Sequence, residues 1–534
     1  MSTSGTVSSR LALIGRIVTM NDAFAVVPRG TVYLDGDTIA AVQDAAQAAP
    51  LDFSAVVPID TGGTIYPGLI ELHNHLSYNA LQLWSVPQLY GDRSQWAGTA
   101  QYQQLITTPM KVLGTSPGLT PAVVRYVECK CLVAGVTTSQ GIALFSNAGI
   151  RRFYQGTLRV VEAPGDPALP SAGTRIADVA ATDRTAFLKE LGTRKSFLLH
   201  LSEGANDAAR SHFLSLQFPD GTWAITDSLA GIHCVALRQP EWQVMADHGA
   251  SMVWSPMSNL LLYGQTADLA GARAAGLRIG LGSDWAPSGS KNLLGEMKVA
   301  RIYAQEKGIA LGDRDIVAMV TRDAAAILRW SQRIGTLEAG KLADLVVVDG
   351  VQGDPYALLL SATEASISLV TIGGLARFGQ PGLMESLGAT GEAVTIGSKM
   401  RSLDLKQAPE DPGIATVSLA DATQSLSDAL HNLPTLAQAA EVSEPQLAVV
   451  GPHLPLEDQR WYLALDELSD TGVDLRPSLS PEMRARPEMA APPLPIQSLT
   501  LDALTVIDDP SLFERLAAEK NLPEFLVQAL RGLY

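Results

Sequence analysis

Eight histidines and three cysteines are all that 534 residues carry of the soft, metal-binding side chains. Cys129, Cys131 and Cys234 cannot build a disulfide framework, which excludes the stapled secreted class and makes a reducing cytoplasm the default. Cys129-x-Cys131 is too closely spaced for a zinc knuckle, falls in a helical pattern and reads as buried core thiols. Basic residues fall short of acidic ones, 39 against 55, giving a net charge of −16. That balance argues against nucleic acid or an anionic membrane surface as a partner. The sequence has no run of 18 or more apolar residues, so no membrane span is expected. Met1 to Ile14 lacks the basic region and long apolar core of a signal peptide. What is abundant is apolar: 46% hydrophobic and 18% charged residues fit a well-packed soluble enzyme, long enough for two or three domains.

The scarce histidines have a pattern. Tyr66-Pro67-Gly68-Leu69-Ile70-Glu71-Leu72-His73-Asn74-His75 is a short apolar run entered through a Pro-Gly turn, the signature of a buried strand. Side chains alternate along a strand, so His73 and His75 are expected on one face, as half of a metal site. His200 ends the apolar run from Phe197, His233 lies in another, and a fourth such run ends in Gly282-Ser283-Asp284.

Along the chain, residues 10–65 alternate short β-like runs (11–14, 31–34, 38–42, 56–59) with turns, Asp35-Gly36-Asp37 having hairpin composition. From Tyr66 the rhythm becomes strand and helix in turn. Helices are expected over 121–134, 183–191, 241–248 and 268–275, and strands at 135–138, 158–161, 197–200, 231–235, 251–254 and 278–284. About eight such units over roughly 260 residues is the size of a TIM barrel, whose active face is formed by the strand C-termini. Between Thr138 and His200 there is room for one strand–helix unit but little for two. Helices near 292–306 and 313–330 follow. β-Character then returns within 334–349, a turn followed by an apolar strand, and at 368–372, to complete the sheet begun at the N-terminus. The expected organisation is α/β: a distorted (β/α)8 TIM barrel over 66–330, inserted into a composite β-sandwich of 1–65 and 331–400. Residues 401–534 form a C-terminal extension with a Pro-rich linker or wrapping arm, Arg476 to Pro495, and two short helices split at Pro523. There is no convincing internal repeat.

Pro67-Gly68 ahead of His73-Asn74-His75, His200-Leu201-Ser202-Glu203, His233-Cys234-Val235, Ser255-Pro256-Met257-Ser258-Asn259 and Gly282-Ser283-Asp284 form an ordered set. Together with Gly335-x-Leu337-x-x-Gly340-Lys341-x-Ala343-Asp344, this set resembles the amidohydrolase superfamily, most closely its mononuclear deaminase and chlorohydrolase-like branch. The resemblance covers about residues 10–380. It implies one divalent metal ion, Zn2+ ahead of Fe2+, held by His73, His75, His200 and Asp284, with one position left for water. It further implies hydrolysis of a C–N bond by metal-activated hydroxide, foremost deamination of an aromatic heterocycle. Asp284 would take the proton of the attacking water, Glu203 would protonate the ring nitrogen or leaving group, and His233 would orient the nucleophile or stabilise charge.

Other readings stand beside this one. Glu162 is a candidate bridging ligand in a two-metal site, His200 and His233 then binding the second ion. The same chemistry would serve a ring-opening hydrolase of a cyclic amide or imide. A metal-binding scaffold without activity is disfavoured by the full set of Glu203, His233 and Asp284. Tyr78, Trp84, Tyr90, Arg93 and Trp96 follow His75 and read either as a lid over a flat ring or as loop packing, with Trp254 and Trp285 as candidate pocket walls. Ser288, Ser290 and Asn292 read as caps for the next helix, and His212, His248, His431 and His453 as structural or exposed. A small-molecule substrate is the partner expected, and a homo-oligomer is left open.

Overall fold

A computed structural model describes residues 10–116, 118–146, 150–407, 412–443, 461–465 and 495–534. His453 and all of the expected Pro-rich arm except Pro495 lie outside these described residues.

Alternating apolar residues build the first four strands: β1 (Arg10–Val18), β2 (Val26–Asp35), β3 (Thr38–Asp44) and β4 (Ile59–Pro67). Gly36 and Asp37 make the β2–β3 turn, as their composition implied. The run expected at 56–59 becomes strand only from Ile59, because Pro58 has no N–H to donate to a ladder. Next come β5 (Leu69–Ile70), β6 (Val136–Ser139) and an antiparallel hairpin of β7 (Ala143–Ser146) and β8 (Arg151–Phe153). β9 (Arg159–Val160), β10 (Gly173–Arg175), β11 (Phe197–Leu201), β12 (Leu229–His233), β13 (Ser251–Trp254) and β14 (Arg278–Leu281) follow.

Two parallel sheets, β5-β6-β9 and β10-β11-β12-β13-β14, hold these strands in chain order. Main-chain contacts continue between the two sheets. Ala172 N, ahead of β10, donates to Val161 O, just past β9, at 2.9 Å, and Asn74 past β5 forms a parallel bridge with Asp284 past β14. This is TIM-barrel-type α/β architecture. Among the described residues no helix separates β6 from β9 or β9 from β10, and β9 and β10 have only 2 and 3 residues. The scarcity of room between Thr138 and His200 has this physical form: two strands without covering helices.

Inside, Ile70, Leu72, Leu198, Ala230, Ile232 and Val253 pack into one buried cluster, floored by Ala324, Ala325 and Ile327. Those floor residues belong to helix Arg322–Ile327; the single helix expected over 313–330 is in fact two, Asp313–Met319 and Arg322–Ile327. Outside, helix Leu119–Val133 is buried almost throughout.

β15 (Leu345–Asp349), β16 (Ile367–Ile372), β17 (Leu375–Gly379), β18 (Glu392–Ile396) and β19 (Lys399–Leu403) join the N-terminal strands in one nine-stranded sheet, ordered β18-β19-β17-β16-β15-β4-β1-β2-β3. Leu13, Ile17, Ile65, Val347 and Leu369 share its core. β20 (Trp461–Leu463) pairs with β7. Beyond 412, helix Leu419–His431 lies against helix Leu119–Val133, where buried Arg125 donates to Val417 O at 2.9 Å and Ile414 O at 3.0 Å. The last two helices, Leu512–Ala518 and Glu524–Arg531, are split at Pro523. Among the described residues no helix is long and apolar enough to cross a membrane.

Candidate metal and catalytic site

The His-x-His pair does not ride on a long strand, since β5 ends at Ile70. It is held instead by the bridge of Asn74 to Asp284: Asp284 N donates to His73 O at 3.0 Å, and His75 N to Asp284 O at 2.7 Å. Gly282 makes this approach feasible, because a Cβ there would lie 2.5 Å from His73 Cβ and 2.8 Å from its N. His200 shares its strand parity with Leu198 on β11, which points into the barrel. Ala230 and Ile232 face the interior of β12, so strict alternation would turn His233 outward. A left-handed φ of 66° at His233 breaks that alternation and returns its ring to the site, 5.0 Å from His73 between ring centroids. Ser202 (φ 50°) and Asp284 (φ 65°) use the same unfavourable region, so backbone strain is concentrated where the strands end.

Five of the predicted side chains meet here. His73 Nε2 lies 3.0 Å, and His75 Nε2 3.5 Å, from Asp284 Oδ1. His75 Nε2 is 3.2 Å from His200 Nε2. Two sets of donor atoms converge, His73/His200/His233 and His73/His75/Asp284, each within 4.8 Å. Burial lowers the basicity of His73, and pushes that of His200 well below the ordinary imidazole value. Burial alone would raise the Asp284 carboxyl, but the imidazoles of His73, His233 and His75 outweigh it and hold the group ionised.

Imidazoles of lowered basicity, which give up their protons readily, beside an ionised carboxylate are a donor set that a divalent transition metal accepts. His73 Nε2 is buried and faces Asp284 Oδ1, while His200 Nε2 converges on His75 Nε2, the arrangement of donor atoms that could share an ion. Gln140 Oε1 accepts from Asn74 N at 2.9 Å and lies 3.2 Å from His73 Nδ1. An oxygen there calls for the proton on Nδ1 and leaves the Nε2 lone pair facing Asp284. Behind Asp284, both oxygens of Glu71 accept from Ser283, at 2.9 Å from N and 2.7 Å from Oγ. The sequence pointed to neither Gln140 nor Glu71; Gln140 directly after β6 was the available signal, being a polar residue at a barrel strand end.

Glu203 stands on the other side of His233, whose Nε2 is 3.7 Å from Glu203 Oε2. Tyr263 donates to Glu203 Oε1 at 2.7 Å and itself accepts from Trp96 Nε1 at 3.0 Å, while Arg93 Nη1 is 3.6 Å from Glu203 Oε2. His233 Nδ1 is 2.9 Å from Asn259 Oδ1, and Asn259 Nδ2 donates to Thr266 Oγ1, which fixes the amide orientation. Tyr263 follows Asn259 by one helical turn in Pro256–Tyr263; nothing in the sequence singled it out.

The aromatic loop after His75 is anchored. Asp92 bridges Gly204, and Ala205 N donates to Gly91 O at 2.6 Å. Gly204 (φ 143°) is required there, since a Cβ would meet Gly91 O at 2.5 Å. Trp285 lies 5.6 Å from the His75 ring, with Tyr78, Trp96 and Tyr102 packed around it at tilted or edge-on angles as an aromatic cluster. Trp254 does not take part: it is buried elsewhere against Tyr303, donating to Thr266 Oγ1. Glu162 accepts from Gly141 N at 2.8 Å and is in neither set of converging donors found among the described residues. Asn292 caps helix Leu293–Glu306, whereas Ser288 pairs with Ser258 and Trp285. His248 Nδ1 meets Val244 O at 2.8 Å, and all three cysteines are buried and free.

The model of the "Amidohydrolase family" matches residues 194–376, which carry His200, Glu203, His233 and Asp284. A 5-methylthioadenosine/S-adenosylhomocysteine deaminase from Desulforudis audaxviator is 25% identical over 342 residues, 56% of this chain and 76% of its own. A protein of the same description from Symbiobacterium thermophilum is 36% identical over 157 residues, 27% of this chain and 35% of its own. Among solved structures, the atrazine chlorohydrolase of Arthrobacter aurescens TC1, complexed with zinc, shares the fold at a TM-score of 0.52 and 19% identity, covering 68% of this chain and 94% of that one. Over these stretches the chain is similar to the amidohydrolase family and to deaminases described within it, and its ordered strand-end histidines and Asp284 fall in the barrel part of that similarity.

Proposed function

We propose that the chain is a mononuclear, metal-dependent deaminase of an aromatic heterocycle, built on a distorted (β/α)8 barrel of residues 66–330. In this reading 1–65 and 331–400 form a composite sandwich around the barrel, and 401–534 the extension. That the enzyme is a hydrolase of carbon–nitrogen bonds follows from its family and relatives. His73, His75, His200 and Asp284 would hold one ion, Zn2+ ahead of Fe2+. When bound, the ion supplies Lewis acidity that makes water a nucleophile near neutral pH.

The protein's own groups do the rest. Asp284, kept ionised by its imidazole neighbours, accepts a proton from the attacking water. His233, held by Asn259, steadies the oxygen as charge develops on it. Glu203 delivers a proton to the ring nitrogen, the proton taken by Asp284 goes to the departing amine, and the remaining hydroxyl proton returns to Glu203, so that the amino-substituted ring and water become the ring carbonyl with its N–H and ammonia. The aromatic cluster of Trp285, Tyr78 and Trp96 receives a flat ring by stacking or edge contact. The observation that carries the proposal is Glu203: it is set across His233 from the metal-type donors and fastened by Tyr263. A site meant only to bind metal has no use for it.

Ammonia release from a panel of amino-substituted heterocycles tests this, beginning with 5-methylthioadenosine and S-adenosylhomocysteine, the compounds in the relatives' description. One equivalent of ammonia per turnover is expected. Turnover of cyclic amides or imides with no ammonia would replace deamination by ring opening at the same site.

A further inference from the structure

The C-terminal extension, which carries no catalytic motif, reaches the back of the catalytic face at three places. Asp502, almost fully buried, takes Lys130 Nζ at 2.5 Å on one oxygen and Lys291 Nζ at 2.7 Å on the other. Lys130 also donates to Asn79 O at 2.8 Å. Asn79 in turn donates to Asn74 Oδ1 at 2.9 Å and accepts from Ala286 N at 2.7 Å. Asn74 lies between His73 and His75, and Ala286 is two residues past Asp284. Asp502 N itself donates to Ala80 O at 3.0 Å. Lys291, in the loop that bears Trp285, is shared with Asp509 at 2.8 Å, and Arg515 closes the cluster onto Asp509 at 2.7 Å.

Further along, Glu519 Oε2 accepts from Val86 N at 3.1 Å, in the aromatic loop. Asn521 Nδ2 donates to Leu261 O at 3.1 Å, on the helix that carries Asn259 and Tyr263.

We infer that the extension acts as a brace for the active site, and that Asp502 is a positioning residue for the His73–Asn74–His75 segment and the Asp284–Lys291 loop. Both lysines are buried cations, so their ammonium groups must find an anion. Asp502 supplies it from outside the barrel, and thereby ties one end of each loop to the other through Asn79. Glu519 is a second, separate point of attachment, acting on residues 81–90.

The test compares full-length wild type, Asp502→Asn and Leu526→Ala by hydrogen exchange with mass spectrometry, in metal-free and zinc-loaded protein, together with zinc affinity by chelator competition. Leu526 is buried in the last helix and is not one of the charged groups around Asp502, so it controls for simple loosening of the extension. Asp502→Asn is expected to speed exchange in peptides covering 74–80 and 284–291 by about tenfold, and to weaken zinc binding by about tenfold. Leu526→Ala is expected to change neither. Acceleration confined to 499–534, or the same pattern in both variants, overturns the inference. If Asp502→Asn does not fold, Glu519→Ala decides instead: faster exchange at 81–90 supports the brace, and unchanged exchange there refutes it. The inference rests on the metal site proposed above, but the two fail separately. Wild type that binds no zinc removes that site, while the exchange pattern of the metal-free protein still judges the brace.

Discussion

Tyr263 donates its phenolic hydrogen to Glu203 across 2.7 Å, in a spot where neither side chain meets solvent freely. Burial first, and the Glu203 carboxylate next, push the Tyr263 hydroxyl well above its usual range, so it remains a donor at every working pH. Leaving a buried hydrogen-bonding group without its partner costs about 1–3 kcal/mol. Tyr263→Phe should therefore lower kcat roughly 10- to 100-fold. Zinc content by elemental analysis should stay at wild type. Unchanged kcat would detach Tyr263 from the mechanism.

Glu203→Gln keeps the size and the acceptor for Tyr263 but cannot release a proton. General acid–base groups contribute about 10²–10⁴-fold, and kcat should fall by that order. The companion His73→Ala should lose metal and activity together, since His73 Nε2 is one of the donor atoms that converge with His75 and Asp284. Steady-state kinetics beside metal analysis reads both, and a Glu203→Gln protein of nearly full kcat would require a different acid.

Glu296 offers a test by pH. It is wholly buried, with Oε1 accepting from Met257 N at 3.0 Å, and burial pushes its carboxyl up to about 8. The folded state thus keeps a proton that the unfolded chain releases above about pH 4.5. Folded protein binding more protons means that stability falls as pH rises through that window, up to about 8. Glu296→Gln imitates the protonated form and has no such slope. Its Tm advantage over wild type should grow between pH 5 and pH 8, and parallel Tm curves would contradict the assignment.

Much of this arrangement was legible in the residues themselves. His200 and His233 end runs that are strands, and Asp284 follows one, because a buried parallel strand needs a continuous apolar run and a polar side chain at its C-terminus has nowhere to go but the active face. The reading of His73 and His75 as neighbours on a strand reached the right pairing for a different reason: the bridge from Asn74 to Asp284, which depends on Gly282 some two hundred residues away, does what strand alternation was expected to do. Tyr263, Glu71 and Gln140 were not legible as functional. Their importance lies in what they touch across the barrel, and a local window holds no trace of Ser283 facing Glu71 or of Glu203 facing Tyr263. The helix expected over 313–330 breaks at Val320 to Thr321, where Ile70 N donates to Val320 O at 2.8 Å; a tertiary contact overrides a helical pattern.

The central claim is one divalent ion per chain, held by His73, His75, His200 and Asp284, with Glu203 outside the ligand set. Elemental analysis of wild type and Glu203→Gln, each purified without chelator, addresses it directly. The account predicts one equivalent of metal per chain, zinc ahead of iron, in both proteins. Two equivalents in wild type, or a Glu203→Gln protein that comes through purification without metal, would contradict it.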